Sequence, residues 1–174
     1  MEKLEVEIKA YCDDVHEIRK GITSLGGEPL GSRIETDIYY NHPGRNFAET
    51  DEALRIRRMD QKKILTYKGP KIGTRSKTRI EKEVTVGDFD NMNEILVHLG
   101  FIEAGRVNKR REGYKLGEVH ICIDSVDGLG DFVELEKISD ERKETEDKLF
   151  ALAAQLGLNR FERRSYLELV LGLH

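Results

Sequence analysis

Apolar and polar side chains alternate one for one along eight stretches of this chain, at residues 4–9, 34–40, 53–58, 63–68, 78–86, 106–111, 119–124 and 131–138. Successive side chains of a strand point to opposite faces, so a period of two predicts eight strands, each with one face that can bury. A second period, with apolar residues three and four apart, predicts helices over 15–25, 89–99 and 141–156, and a short last helix over 165–171. Gly26-Gly27, Gly100 and Gly157 follow the three longer helices, where a helix C-terminus takes a left-handed residue. Hairpin turns are expected at Asp60-Gln61, at Leu116-Gly117 and at 127–130, and surface loops at 43–51 and 69–77. Eight mostly antiparallel strands with a few helices define an α+β domain, whose sheet closes on itself into an eight-stranded antiparallel barrel with the helices packed outside.

The polar faces of these strands are ionic, where a merely wet sheet would carry Thr, Ser and Gln. Glu5, Glu7 and Lys9 oppose Leu4, Val6 and Ile8; Arg55 and Arg57 oppose Leu54 and Ile56; Glu134 and Glu136 oppose Val133 and Leu135. Arg79, Glu81 and Glu83 form another row, Lys109 and Arg111 a basic pair, and Asp124 ends a strand whose other face is Ile121 and Ile123. Any one such row fits a solvated face. Their recurrence, with helices on the apolar side, points instead to the charged lining of a tunnel. Enclosed carboxylates two positions apart, roughly 7 Å, repel unless a cation sits between them. A hard divalent metal suits that place and shares its remaining sites with phosphates, which arginine forks also grip.

Length and charge narrow the partners. At 174 residues the chain is read as a single domain, residues 1–174, and a net charge of -4 with both signs mixed argues against a DNA binder. No apolar run reaches membrane-span length and no leader pattern opens the chain, which predicts a soluble cytoplasmic protein without membrane partners. Cys12 and Cys122 are too few for a disulfide framework or a zinc site and are read as reduced.

The order of motifs resembles a known family. Glu5-x-Glu7-x-Lys9, Asp37-Ile38-Tyr39-Tyr40, Leu54-Arg55-Ile56-Arg57, Tyr67-Lys68-Gly69-Pro70, Arg79-x-Glu81-x-Glu83, Lys109-x-Arg111 and Asp124-x-x-x-Gly128-Leu129-Gly130-x-Phe132-x-Glu134-x-Glu136 resemble the CYTH superfamily. These are the triphosphate tunnel metalloenzymes, among them class IV adenylyl cyclases and thiamine triphosphatases. The resemblance implies a closed eight-stranded barrel, a triphosphate substrate and dependence on Mg2+ or Mn2+. Carried over by position, it makes Glu5, Glu7, Glu134 and Glu136 the metal-side carboxylates, with Asp124 beside them. Lys9, Arg55, Arg57, Lys68, Arg79, Lys109 and Arg111 become the triphosphate-binding residues. Lys9, Lys109 and Asp124 are the candidates for the catalytic step.

The turn at 128–132 and the Arg164-Ser165-Tyr166 ending look most similar to the class IV cyclase branch, which implies conversion of ATP to cyclic AMP and pyrophosphate. Hydrolysis of tripolyphosphate or thiamine triphosphate by the same ligands is the alternative, and non-catalytic binding of polyphosphate a third. A homodimer is left open. Tyr39 and Tyr40 read as packing residues, His120 as structural, and Arg75 and Lys77 as solvated loop charges. Glu83 and Glu136 read equally as counter-ions of the arginines.

Overall fold

The computed structural model describes residues 3–173. Its strands are β1 (Leu4–Tyr11), β2 (Glu28–Asn41), β3 (Ala53–Met59), β4 (Lys62–Lys68), β5 (Glu81–Thr85), β6 (Ile102–Leu116), β7 (Val119–Val126) and β8 (Gly130–Ser139). They form one antiparallel sheet in the order β1-β8-β7-β6-β2-β3-β4-β5, which curls until the edge of β1 meets the residues just ahead of β5. The free edge of β1 is zipped by two stretches that are not strands. Glu5 and Arg79 exchange backbone hydrogen bonds at 3.1 and 3.2 Å, and the Lys77 N–H donates to the Glu7 carbonyl at 2.8 Å. Farther along β1, Tyr11 N–H donates to Arg160 at 2.9 Å and Glu162 N–H to Lys9 at 2.8 Å.

Strands β2 and β6 run well beyond the predicted segments because they pair with each other from Asn41–Ile102 to Glu28–Lys115. Residues 78–80, expected in a strand, belong to the seam, and β5 begins at Glu81. The hairpin expected at Leu116-Gly117 falls one residue later, with Gly117 at φ 59, a left-handed value that favours glycine.

Three helices match the 3.6-residue period: α1 (Val15–Ser24), α3 (Phe89–His98) and α4 (Arg142–Gln155). Asp14 caps α1 by accepting from His16 N–H at 2.9 Å and Glu17 N–H at 3.2 Å. Between them in the chain, α2 (Phe47–Thr50) lies inside a predicted loop; four residues are too few to show a period. Helices α1 and α4 bury Ile18, Ile22, Leu149 and Ala153 against Val6, Ile8, Ile121, Val133 and Leu135 on the outer face. Leu96 of α3 covers Ile38, Tyr40 and Ile56.

The short α5 (Tyr166–Val170) departs from the outside placement. Its Tyr166 packs against Tyr39, Val107, Val126 and Phe132, filling one end of the barrel with apolar side chains. A Ser165–Glu168 capping box fixes the start of this helix. Among the described residues no helix is long and apolar enough to cross a membrane.

Candidate functional site

Between the apolar end and the opposite mouth, the barrel encloses a cavity of about 740 Å³. Glu5 and Glu7 reach it from β1 and Glu136 from β8, where Glu136 lies directly across from Glu7 in register. Each of the three offers a carboxylate oxygen within 4.8 Å of the others. Burial, together with the neighbouring Glu7 and Glu134 and against the pull of Arg111, pushes Glu136 up to about 7. Burial also raises Glu5 well above the ordinary carboxylate range, against the pull of Lys68 and with Glu81, Glu136 and Glu7 adding to it. Neither Glu5 nor Glu136 has an ion-pair partner among the described residues, so this patch carries acidic oxygens that no side chain neutralises. Three hard oxygen donors, two of them without a counter-charge and the third, Glu7, paired with Lys77 alone, fit Mg2+ or Mn2+.

Glu134 shares the strand face with Glu136 but not its surroundings. Arg111 Nη2 lies 2.6 Å from one of its oxygens and Lys77 Nζ 3.6 Å from the other. Against burial, these cations hold it well below the usual carboxylate range. The structure therefore divides the four sequence-read metal carboxylates into a cluster of three and one counter-ion.

The facing walls are basic. Arg57 is gripped by Asp37, Nε at 2.7 Å and Nη2 at 2.8 Å, and by Glu35 at 3.1 Å. Lys109 lies 3.2 Å from Glu35 and 3.5 Å from Asp37. These cations overcome the cost of burial, lowering Glu35 to about 2 and Asp37 below the ordinary range. Lys68 pairs with Glu81, which falls to about 2. Arg55 and Arg79 are held more loosely. Arg55 Nη2 donates to Thr66 Oγ1 at 3.3 Å, its Nε is buried without a hydrogen-bond partner among the described residues, and Glu83 is 3.8 Å away. The nearest carboxylate to Arg79 is Asp51, at 3.9 Å. A buried guanidinium with an idle donor is a place prepared for an anion.

Of the three residues read as catalytic, only Lys109 lines the cavity. Lys9 lies behind the lining, 1% exposed, its Nζ 4.1 Å from the centre of the Tyr166 ring and donating to the Arg164 carbonyl. Burial and Lys77 lower it to about 7, against the pull of Glu134 and Glu7. Asp124 is fully buried and accepts from Arg111 twice and from the Tyr166 hydroxyl at 2.7 Å.

Lys77 corrects the sequence reading. Far from being a solvated loop charge, it is 8% exposed and donates to Glu7 Oε1 at 2.5 Å. Burial alone would lower it, yet Glu7 and Glu134 raise it above the ordinary lysine value. Arg75 does stay at the surface, paired with Asp147 at 2.7 Å. His120 is exposed, and Tyr39 and Tyr40 are both buried as packing residues. Glu35, and Asp37 of the Asp37-Ile38-Tyr39-Tyr40 motif, are the counter-ions of the basic wall, a role marked in the sequence only by their alternation with Ile34 and Ile38.

The CYTH domain family model matches residues 3–166. A Methanocaldococcus jannaschii protein named "Putative adenylate cyclase" is 43% identical over 171 residues, covering 95% of this chain and 98% of that one. Adenylate cyclase CyaB of Aeromonas hydrophila is 32% identical over 172 residues, 94% of this chain and 87% of its own. A solved Pyrococcus horikoshii structure superposes with a TM-score of 0.90 at 46% identity, covering 97% and 98% of the two chains. The chain belongs to the CYTH domain family, whose members are metal-dependent cyclases or triphosphatases.

Proposed function

We propose that this protein is a divalent-metal-dependent enzyme of triphosphate chemistry that converts ATP to cyclic AMP and pyrophosphate. The observation that carries this reading is the division of one cavity into a carboxylate cluster, Glu5, Glu7 and Glu136, with Lys77 as its one paired cation, and a facing basic wall in which Arg55 keeps an idle donor. The relatives named as adenylate cyclases support the cyclase over other triphosphate reactions. Glu5, Glu7 and Glu136 would hold Mg2+ or Mn2+, which when bound supplies Lewis-acid polarisation of phosphate oxygens.

Arg55 and Arg79, with Lys68, Arg57, Lys109 and Arg111 around them, grip the β and γ phosphates and take up the charge that develops on departing pyrophosphate. The nucleophile is the substrate's own 3′ hydroxyl, so holding the triphosphate in one pose supplies much of the rate. The apolar plug of Tyr166 and Phe132 excludes water from one end of the cavity, which favours the internal nucleophile. Asp124 keeps Arg111 in place, and Lys9 stands behind the lining, holding the Arg164 carbonyl against the Tyr166 end. A nucleotide substrate and two free thiols fit a cytoplasmic setting.

Incubating the purified protein with ATP, thiamine triphosphate and tripolyphosphate in turn, with Mg2+ or Mn2+, tests the proposal. Cyclic AMP with pyrophosphate is the expected outcome. Orthophosphate release would assign a hydrolase, and binding without turnover of any of the three a polyphosphate binder.

A further inference from the structure

Residues 69–80 link β4 to β5 as a strap across the seam, pinned from the outside by side chains of α4 and of the segment before α5. Ser76 Oγ donates to Glu146 Oε1 at 2.7 Å, and Glu146 is itself 1% exposed. Arg163 donates to the Gly73 carbonyl at 2.9 Å and to the Ser76 carbonyl at 3.2 Å. With the Lys77 N–H fixed on the Glu7 carbonyl, the backbone at this point cannot move far. The Lys77 side chain is a different matter: four rotatable methylenes carry its ammonium into the cavity.

There it competes for a ligand. The Glu7 carboxylate belongs to the cluster of three and is also the 2.5 Å partner of Lys77. A divalent cation binding there draws on the same oxygens with twice the charge. An ammonium released from Glu7 still faces the cavity, 3.6 Å from Glu134 and on the same stretch of seam as Arg79, whose carboxylate partner Asp51 is 3.9 Å away.

We propose that Lys77 is a built-in counter-cation of the carboxylate cluster that becomes a triphosphate ligand once a divalent metal takes Glu7. This rests on the metal and triphosphate reading above. It assigns to the strap a residue that makes metal and phosphate binding interdependent, a linkage that acts equally in both directions.

Calorimetric titration of the wild-type protein and Lys77→Met, with Mn2+ alone and with tripolyphosphate at saturating Mn2+, tests it. The variant should bind Mn2+ about tenfold more tightly and tripolyphosphate about tenfold more weakly, the scale of one charge-assisted hydrogen bond. A merely structural lysine would shift both affinities the same way or neither, and either result overturns the inference while leaving the function intact. Failure of the wild-type protein to bind Mn2+ or tripolyphosphate overturns both. A wild-type readout covers a variant that does not fold: acetic anhydride labelling of Lys77, followed by peptide mass spectrometry, should rise severalfold with Mn2+ and fall again when tripolyphosphate is added. Labelling that Mn2+ leaves unchanged or lowers counts against the proposal.

Discussion

Arg111 and Asp124 face each other in register across β6 and β7 and form a two-pronged ion pair, Nε to Oδ1 at 2.7 Å and Nη2 to Oδ2 at 2.6 Å. Asp124 is fully buried and Arg111 nearly so. Truncating Asp124 leaves Arg111 with Glu134 alone and the Tyr166 hydroxyl without its acceptor, and breaking a buried pair costs roughly 3–5 kcal/mol. Asp124→Ala should lose stability on that scale in urea unfolding. A loss below about 1 kcal/mol, the worth of an exposed pair, would mean the pair is solvated.

Without metal, stability should fall as pH rises from about 4.5 to 7. Glu136 is raised from 4.5 to about 7, so in that window the folded chain holds a proton that the unfolded chain has released. More protons on the folded state give a negative slope of unfolding free energy with pH. Glu5, also raised, acts in the same direction. Lys9, lowered from 10.5 to about 7, is charged in both states below 7 and adds a positive slope only above it. The lowered Glu35 and Glu81 act below their ordinary values. Urea midpoints at pH 5 and 7 in EDTA measure the slope, and Glu136→Gln should flatten it.

Neutralising Glu5 and Glu136 together strands no cation, since neither has an ion-pair partner among the described residues. The Glu5→Gln, Glu136→Gln double variant should therefore keep or raise its melting temperature while losing metal-dependent turnover by roughly a hundredfold or more. Undiminished turnover would place the metal elsewhere.

Arg55 separates anion binding from stability. Its Nε has no partner to lose and its Nη2 only a 3.3 Å bond to Thr66 and a 3.8 Å pair with Glu83, so Arg55→Met should cost no more than about 1–2 kcal/mol in urea unfolding, yet weaken tripolyphosphate binding by about tenfold or more. Equal affinity for wild type and variant in calorimetry would remove Arg55 from the anion site.

How far the sequence carried the reading depends on the range of the forces involved. Alternation such as Val6 and Ile8 against Glu7 and Lys9 is written into neighbouring residues, so strands and their ionic faces could be read directly. The fate of each ionic side chain could not. Glu134 and Glu136 share parity and spacing, and only the approach of Arg111 and Lys77 separates counter-ion from cluster. Lys77 looks like a loop charge until a seam joins residues 77 and 7. Tyr166 fits a surface helix by pattern, and its burial comes from an open barrel end that demands apolar filling. Each of these three is a contact between residues far apart in the chain, which local pattern does not encode.

The two-part zip along β1 also sets an order of events. Glu5 and Glu7 find their edge partners some seventy residues on, but Lys9, Ala10 and Tyr11 bond to residues 160–162. On a ribosome, the first strand made therefore stands half unpaired until nearly the whole domain has emerged. Its exposed donors and acceptors are then a template for any other extended chain nearby. Barrel closure, and with it the enclosure of every charge in the lining, is a late and all-or-none step.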